Sequence, residues 1–245
     1  MIASLPMYDL PGLEAANDRF WSAIAAHLPD APAQLDRDGG VWAHWMDPNL
    51  LFSQTCGLPF RARLSDKVTY IGTPDYNVPG CPPGYYTSVL IARAGETPDL
   101  ATARFAYNDP LSQSGWNAPA ALAKSRGVTL NACLQSGAHL SSAQAVAKAD
   151  ADLAAIDVVT WRALQATGTI PEGLVVVDET HPTPGLPYIA GPAVDPTPIR
   201  AAVRAGITAL SEQDKALLQI CDLIEIPLSD YEALPIPPTP RAKTT

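Results

Sequence analysis

Apolar residues are densest in Tyr85-Tyr86-Thr87-Ser88-Val89-Leu90-Ile91-Ala92-Arg93, whose centre has no polar alternation. Such a run predicts a strand over 85–93 that is covered on both faces. Beyond it, short apolar runs alternate with stretches at helical spacing. The expected order is strand 104–107, helix 114–126, strand 128–134, helix 141–149, strand 153–156, helix 158–165 and strand 173–178. That alternation is the pattern of parallel βαβ units.

The flanks read less regularly. Residues 2–7 form a short apolar run that, as a strand, would deliver Tyr8 to its end. Pro11-Gly12 opens a helix in which Leu13, Ala16, Phe20, Ile24 and Leu28 recur on one face. Residues 29–40 are a polar loop. The stretch 41–52 carries Trp42, Trp45 and Met46, with a helical turn starting at Asp47-Pro48. A β-branched strand over 68–71 leads into a loop, 74–83, with Tyr76 near its start. After the alternating block, the prolines of 181–187 make a rigid connector. Helices follow over 198–210 and 211–220, the second headed by Ser211-Glu212-Gln213-Asp214, a capping box with Asp in the third position. From Leu234 the chain carries Pro235, Pro237, Pro238 and Pro240 and ends in Arg241-Ala242-Lys243-Thr244-Thr245, a tail expected to fray or drape on the surface. The whole reads as a chain that leaves one α/β lobe, builds a second and returns.

Composition narrows the partners. Hydrophobic residues are 47% and charged residues 17% of the 245 positions, as in a folded chain with a sizeable core. The net charge of −9 argues against nucleic acid or an anionic membrane, which both need a basic face. A small anion is still admissible, because a few backbone amides can bind one locally. No apolar run approaches the roughly 20 residues of a membrane span, so the chain is not expected to be membrane-spanning. Residues 1–6 have neither a basic nor a long apolar region nor a cleavage site, so no secretory leader is expected in them. The address is then periplasmic where a leader has been removed and cytoplasmic otherwise. Cys56 and Cys81 sit in turn-like settings and could pair in an oxidising compartment, while Cys133 and Cys221 lie in apolar runs and read as buried thiols. Without a CxxC pair no metal site is expected.

Three turns carry candidate chemistry. In Asn108-Asp109-Pro110-Leu111-Ser112-Gln113-Ser114-Gly115-Trp116-Asn117, a strand passes into a helix through small hydroxyl residues. The first N–H groups of a helix have no intrahelical partner and sit at the positive end of its dipole. Ser112, Ser114 and Gly115 would let an anion come close to them; alternatively, one serine caps the helix. Ser136-Gly137-Ala138-His139 is a second such turn, where His139 either donates to an anion or packs locally. Asp157 ends a short apolar strand and either binds a ligand hydroxyl or amine, or caps the next helix. All three would stand at one edge of a parallel sheet, where ligands of open α/β folds gather.

Enzyme signatures are absent. Ser114 lacks the G-x-S-x-G elbow, and no P-loop, dinucleotide fingerprint or H-E-x-x-H is present. A triad of Ser114, His139 and Asp157 can be drawn on paper and would need His139 between the other two in space.

The ordered set of the 85–91 strand, Ser112-Gln113-Ser114-Gly115-Trp116-Asn117, Ser136-Gly137-Ala138-His139 and the 146–157 run resembles the phosphate/phosphite/phosphonate-type substrate-binding proteins of ABC importers, over about 65–190. The resemblance implies a type II periplasmic-binding-protein fold, with two α/β lobes, a central ligand cleft and two crossing hinge segments. Lobe one would be 1–88 plus 188–245, and lobe two 89–187. It implies that Ser112, Gln113, Ser114, Gly115, His139 and Asp157 bind the ligand, with Tyr8 and Tyr76 closing over it from lobe one. The function expected is capture of a small anionic ligand, a phosphonate or phosphate-like oxyanion, by a monomer that needs no cofactor and serves an ABC permease. Two alternatives use the same scaffold: an enzyme, either a hydrolase using Ser114 or a relative of thiamine-pyrimidine biosynthetic proteins, and a leaderless cytoplasmic sensor.

Overall fold

The computed structural model describes residues 1–240; the polar end of the expected tail, 241–245, lies outside the described residues. Internal contacts divide the chain into two units, Met1–Tyr85 with Pro184–Ala233, and Tyr86–Thr183 with the segment from Leu234.

The first unit is built on a five-stranded sheet in the order Ile2–Ala3, Leu50–Gln54, Tyr188–Ala190, Thr69–Asp75, Asp222–Ile224. The first two strands are parallel, and Tyr188–Ala190 runs antiparallel to both of its neighbours. Leu50–Gln54 is buried at all five positions. The sequence pattern had merged it with the helical stretch before it, because a strand covered on both faces shows no alternation. Helix Glu14–Ala25 turns Ala16, Phe20, Trp21 and Ile24 inward. Helix Pro196–Ala209 packs against it at Gly206, where an added Cβ would fall 2.7 Å from Ile24 Cγ1. Only glycine leaves room for that approach. Helix Glu212–Leu218 is capped by Ser211 Oγ, which accepts from the Asp214 N–H at 3.0 Å. The Asp214 carboxylate reaches back to the Ser211 hydroxyl, accepting from it at 2.9 Å, rather than to the Ser211 backbone N–H. It pairs with Arg19 at 2.6 Å.

In the second unit the sheet order is Asn131–Gln135, Arg104–Tyr107, Leu153–Asp157, Ser88–Arg93, Leu174–Glu179. The first three strands are mutually parallel. Ser88–Arg93 inserts antiparallel between Leu153–Asp157 and Leu174–Glu179, which corrects the expectation of a wholly parallel sheet. A strand buried on both faces has the same composition in either direction, so its sequence carries no sign of the reversal. Leu90, Phe105, Tyr107, Trp116, Leu122, Leu153 and Ala155 belong to one buried cluster.

The apolar run 85–93 divides at Thr87, whose hydroxyl donates to Glu179 and whose carbonyl accepts from Val158. Ahead of the break, Tyr85–Tyr86 pairs with Thr183–Pro184 where the chain passes from one unit to the other. The segment from Leu234, expected in lobe one, is held in the second unit, where Trp116 Nε1 donates to the Pro238 carbonyl at 3.0 Å. Two thiols are also less buried than their apolar neighbourhoods implied. Cys133 lies on the outermost strand of its sheet and is half-buried, and Cys221 precedes the edge strand Asp222–Ile224 and is exposed. Cys56 and Cys81 are half-buried. Among the described residues no helix is long and apolar enough to cross a membrane, and no cluster of three metal-ligating side chains occurs.

Candidate functional site

The Arg104–Tyr107 strand ends at Asn108, and the chain turns through Asp109, whose carbonyl accepts from Ser112 N–H and whose carboxylate accepts from Leu111 N–H. Residues Gln113–Asn117 then form a wide, π-helical turn that runs into helix Ala118–Ser125. Asn117 N–H reaches five residues back to Ser112 O at 3.0 Å, and Ala118 N–H reaches five back to Gln113 O. Pro119 explains part of this geometry. It has no N–H to offer the Gly115 carbonyl, so the ordinary four-residue ladder is already interrupted there. Gly115 N–H is taken by Ser112 Oγ at 2.9 Å, so the cap predicted for this turn is real and is made by Ser112. Ser114 carries an N–H group that, by position, precedes any intrahelical acceptor.

Within this turn the side chains differ in availability. Gln113 is buried, and its Oε1 accepts from Asn117 Nδ2 at 2.9 Å, so it braces the turn from within. The Ser112 and Ser114 hydroxyls lie 3.5 Å apart. Gly115 is tightly enclosed: a Cβ there would collide with Asn108 Oδ1 unless that side chain shifted, and would stand 3.2 Å from Ser112 Oγ.

The second turn follows the parallel strand Asn131–Gln135. Ser136 N–H donates to the Tyr107 carbonyl at 2.8 Å and Gly137 N–H to the Asn108 carbonyl at 3.0 Å, so the two turns are stapled through their backbones. His139 is the first residue of helix His139–Ala147, and its Nε2 lies 2.9 Å from Ser114 Oγ. Loss of hydration holds the imidazole pKa down to about 4, with the Ala155 carbonyl opposing the shift. The ring is therefore neutral at pH 7. The third turn starts at Asp157, which is 2% exposed and whose Oδ1 accepts from Val159 N–H at 2.8 Å and Thr160 N–H at 3.1 Å. It caps helix Val158–Ala166, as one of its two readings required.

The parallel order of the three strands brings 112–115, His139 and Asp157 to one sheet edge, and Ser114 and His139 into direct contact. No lysine or arginine occurs in 108–117, 135–140 or 155–157, so the donors of this edge are neutral. A Ser–His contact also suits a nucleophile. In a triad a carboxylate orients the imidazole from its second nitrogen. Here no carboxylate meets that nitrogen: His139 Nδ1 is enclosed without a hydrogen-bond partner, and Asp157 Oδ1 serves two N–H groups of its own helix.

Tyr8 and Tyr76 belong to the first unit, where their rings meet edge to face with centroids 5.2 Å apart. Gln54 was not singled out in the sequence and organises this pair. Its Nε2 donates to Tyr76 OH and to the Leu186 carbonyl, both at 3.1 Å, from a side chain that is 2% exposed. The signal available was a lone amide closing the apolar run Leu50-Leu51-Phe52-Ser53.

Residues 62–231 match the family described as the periplasmic substrate-binding protein of phosphonate ABC transporters. No curated protein sequence matches the chain. Among solved structures, the fold is similar to that of PhnD1 from Prochlorococcus marinus in complex with methylphosphonate, at TM-score 0.72 and 16% identity over 95% of this chain and 94% of that one. It is also similar to a binding protein component of an ABC phosphonate transporter from Pseudomonas aeruginosa, at TM-score 0.64 and 18% identity over 89% and 78%. A Xanthomonas citri protein bound to ATP gives TM-score 0.66 and 12% identity over 96% and 94%. At these identities the structures establish the fold, which is of the type II periplasmic-binding-protein kind. The family match spans well over half of the sequence, and the chain belongs to the periplasmic substrate-binding proteins of phosphonate ABC transporters.

Proposed function

We propose that this protein captures a small tetrahedral oxyanion, a phosphonate or phosphate-like compound, as the receptor of an ABC importer in the periplasm. The observation that carries this reading is the 2.9 Å contact between Ser114 and His139, which joins two helix-opening turns at one sheet edge. Together they gather two hydroxyls, a neutral imidazole and the positive end of a helix dipole, all without a formal positive charge. Hydroxyl protons rotate to suit a ligand, and helix N-termini favour anions. Asp157 supplies a negative group at the same edge, suited to a hydroxyl or ammonium on the ligand's organic part. Tyr8 and Tyr76 are the proposed aromatic contribution of the first unit. Family membership supports the transport role, and the receptor is proposed to act as a monomer.

Calorimetric titration with methylphosphonate, phosphite, phosphate and a sulfonate tests the reading. Binding of at least one is expected; no heat with any of them sinks it. Ser114→Trp should abolish that binding by filling the turn, and unchanged affinity would refute the site.

A further inference from the structure

We infer that Asn108 is a further ligand-binding residue, its side-chain Nδ2 donating to the oxyanion held at the 112–115 turn. The inference rests on the oxyanion reading and adds a residue that the strand-end motif had not assigned. Asn108 is held from two sides. Its backbone carbonyl accepts from Gly137 N–H of the second turn, and its side-chain Oδ1 lies against Gly115 in the first. That oxygen is enclosed and has no hydrogen-bond partner.

Contact with Gly115 orients the amide. A carbonyl oxygen against a Cα–H group makes a weak attraction, whereas an NH2 group there would press hydrogens on hydrogens. Nδ2 is thus turned away from the packed side of the turn. It has no partner among the described residues and is not one of the enclosed polar atoms. Burying an amide oxygen unpaired is unfavourable for folding. An asparagine kept at that position is accounted for by the donor at its other end. Nδ2 is neutral, like every other donor of this edge, and the amide that carries it shares its place with Ser112 Oγ: Asn108 Oδ1 and Ser112 Oγ both lie beside the point where a Gly115 Cβ would stand.

Asn108→Asp separates this role from a purely structural one. The carboxylate keeps an oxygen against Gly115, but the donor becomes a negatively charged acceptor. With the wild-type protein binding phosphate or methylphosphonate, the Asp variant is expected to lose about a hundredfold or more in affinity at pH 7, and Asn108→Ala about tenfold. Thermal melting without ligand reports whether each variant is folded. Affinity of a folded Asp variant within twofold of wild type overturns the inference and leaves the oxyanion reading standing. If the Asp variant does not fold, the Ala variant decides by the same twofold criterion. Failure of the wild type to bind any of the oxyanions overturns both.

Discussion

Ser114 Oγ and His139 Nε2 lie 2.9 Å apart across 25 residues of sequence, each at the opening of its own helix. The contact requires two strands to lie side by side in parallel, in a register that aligns Tyr107 with Gln135. It turns two ordinary helix starts into one polar edge.

Acid should weaken the fold through His139. Its folded pKa of about 4 lies below the ordinary 6.5, so the folded state prefers the neutral ring while the unfolded state takes up the proton first. The resulting stability is fully present above pH 6.5 and is lost as pH falls toward 4. The shift corresponds to about 2 to 3 kcal/mol, the lower figure allowing for the residue's partial exposure. Urea unfolding at pH 7.5 and 4.5 measures it. His139→Gln should flatten that difference, and an unchanged pH slope in the variant would remove His139 as its source.

Gly115→Ala should destabilise the second unit. Its Cβ would meet Asn108 Oδ1, and overpacking of this kind costs about 1 to 3 kcal/mol. Asn108→Ala in the same chain makes space and should recover part of the loss. A thermal-shift double-mutant cycle in which the two changes simply add would argue that the residues do not touch.

Two substitutions divide the roles of Asp157. Asp157→Ala removes the acceptor of the Val159 and Thr160 N–H groups and should cost about 1 kcal/mol. Asparagine is an equally good cap, so Asp157→Asn should melt within a few tenths of a kcal/mol of wild type. Its effect on binding then reports the charge alone. It is expected to raise affinity for inorganic phosphate and lower it for an aminoalkylphosphonate. Equal affinities for both ligands in variant and wild type would confine Asp157 to capping.

In the first unit, Gln54→Leu deprives Tyr76 OH and the Leu186 carbonyl of a buried donor. Removing the donor that a buried carbonyl relies on costs about 1 to 3 kcal/mol. The variant should therefore melt earlier and, if Tyr76 serves the ligand, bind more weakly. Wild-type stability would mean that Tyr76 and Leu186 find other partners without strain.

Much of this was legible along the chain. Strand endings at 107, 134 and 156 were visible, one residue short of the observed ends Gln135 and Asp157 in the last two, because apolar runs there give way to small polar residues and then to helical spacing. Ser112, Ser114, Gly115, His139 and Asp157 follow from those endings. Gln113 was visible too, though its side chain braces the turn against Asn117. Asn108 and Gln54 were not picked out, since one asparagine or one glutamine at a strand end is common. Their importance lies in what each touches: Gly115 and Gly137 for Asn108, Tyr76 and Leu186 for Gln54.

Hydrophobic spacing by itself determined where the chain forms strands and helices in 104–179 and which residues stand at the strand ends, because period and burial are properties of neighbouring positions. Only the tertiary structure decided that Ser88–Arg93 runs against its neighbours, that Trp116 draws the segment from Leu234 into the second unit, and that Ser114 meets His139. Strand direction, tail docking and side-chain pairing depend on which distant segments share a surface. An apolar run that is buried on both faces looks the same whichever way it points.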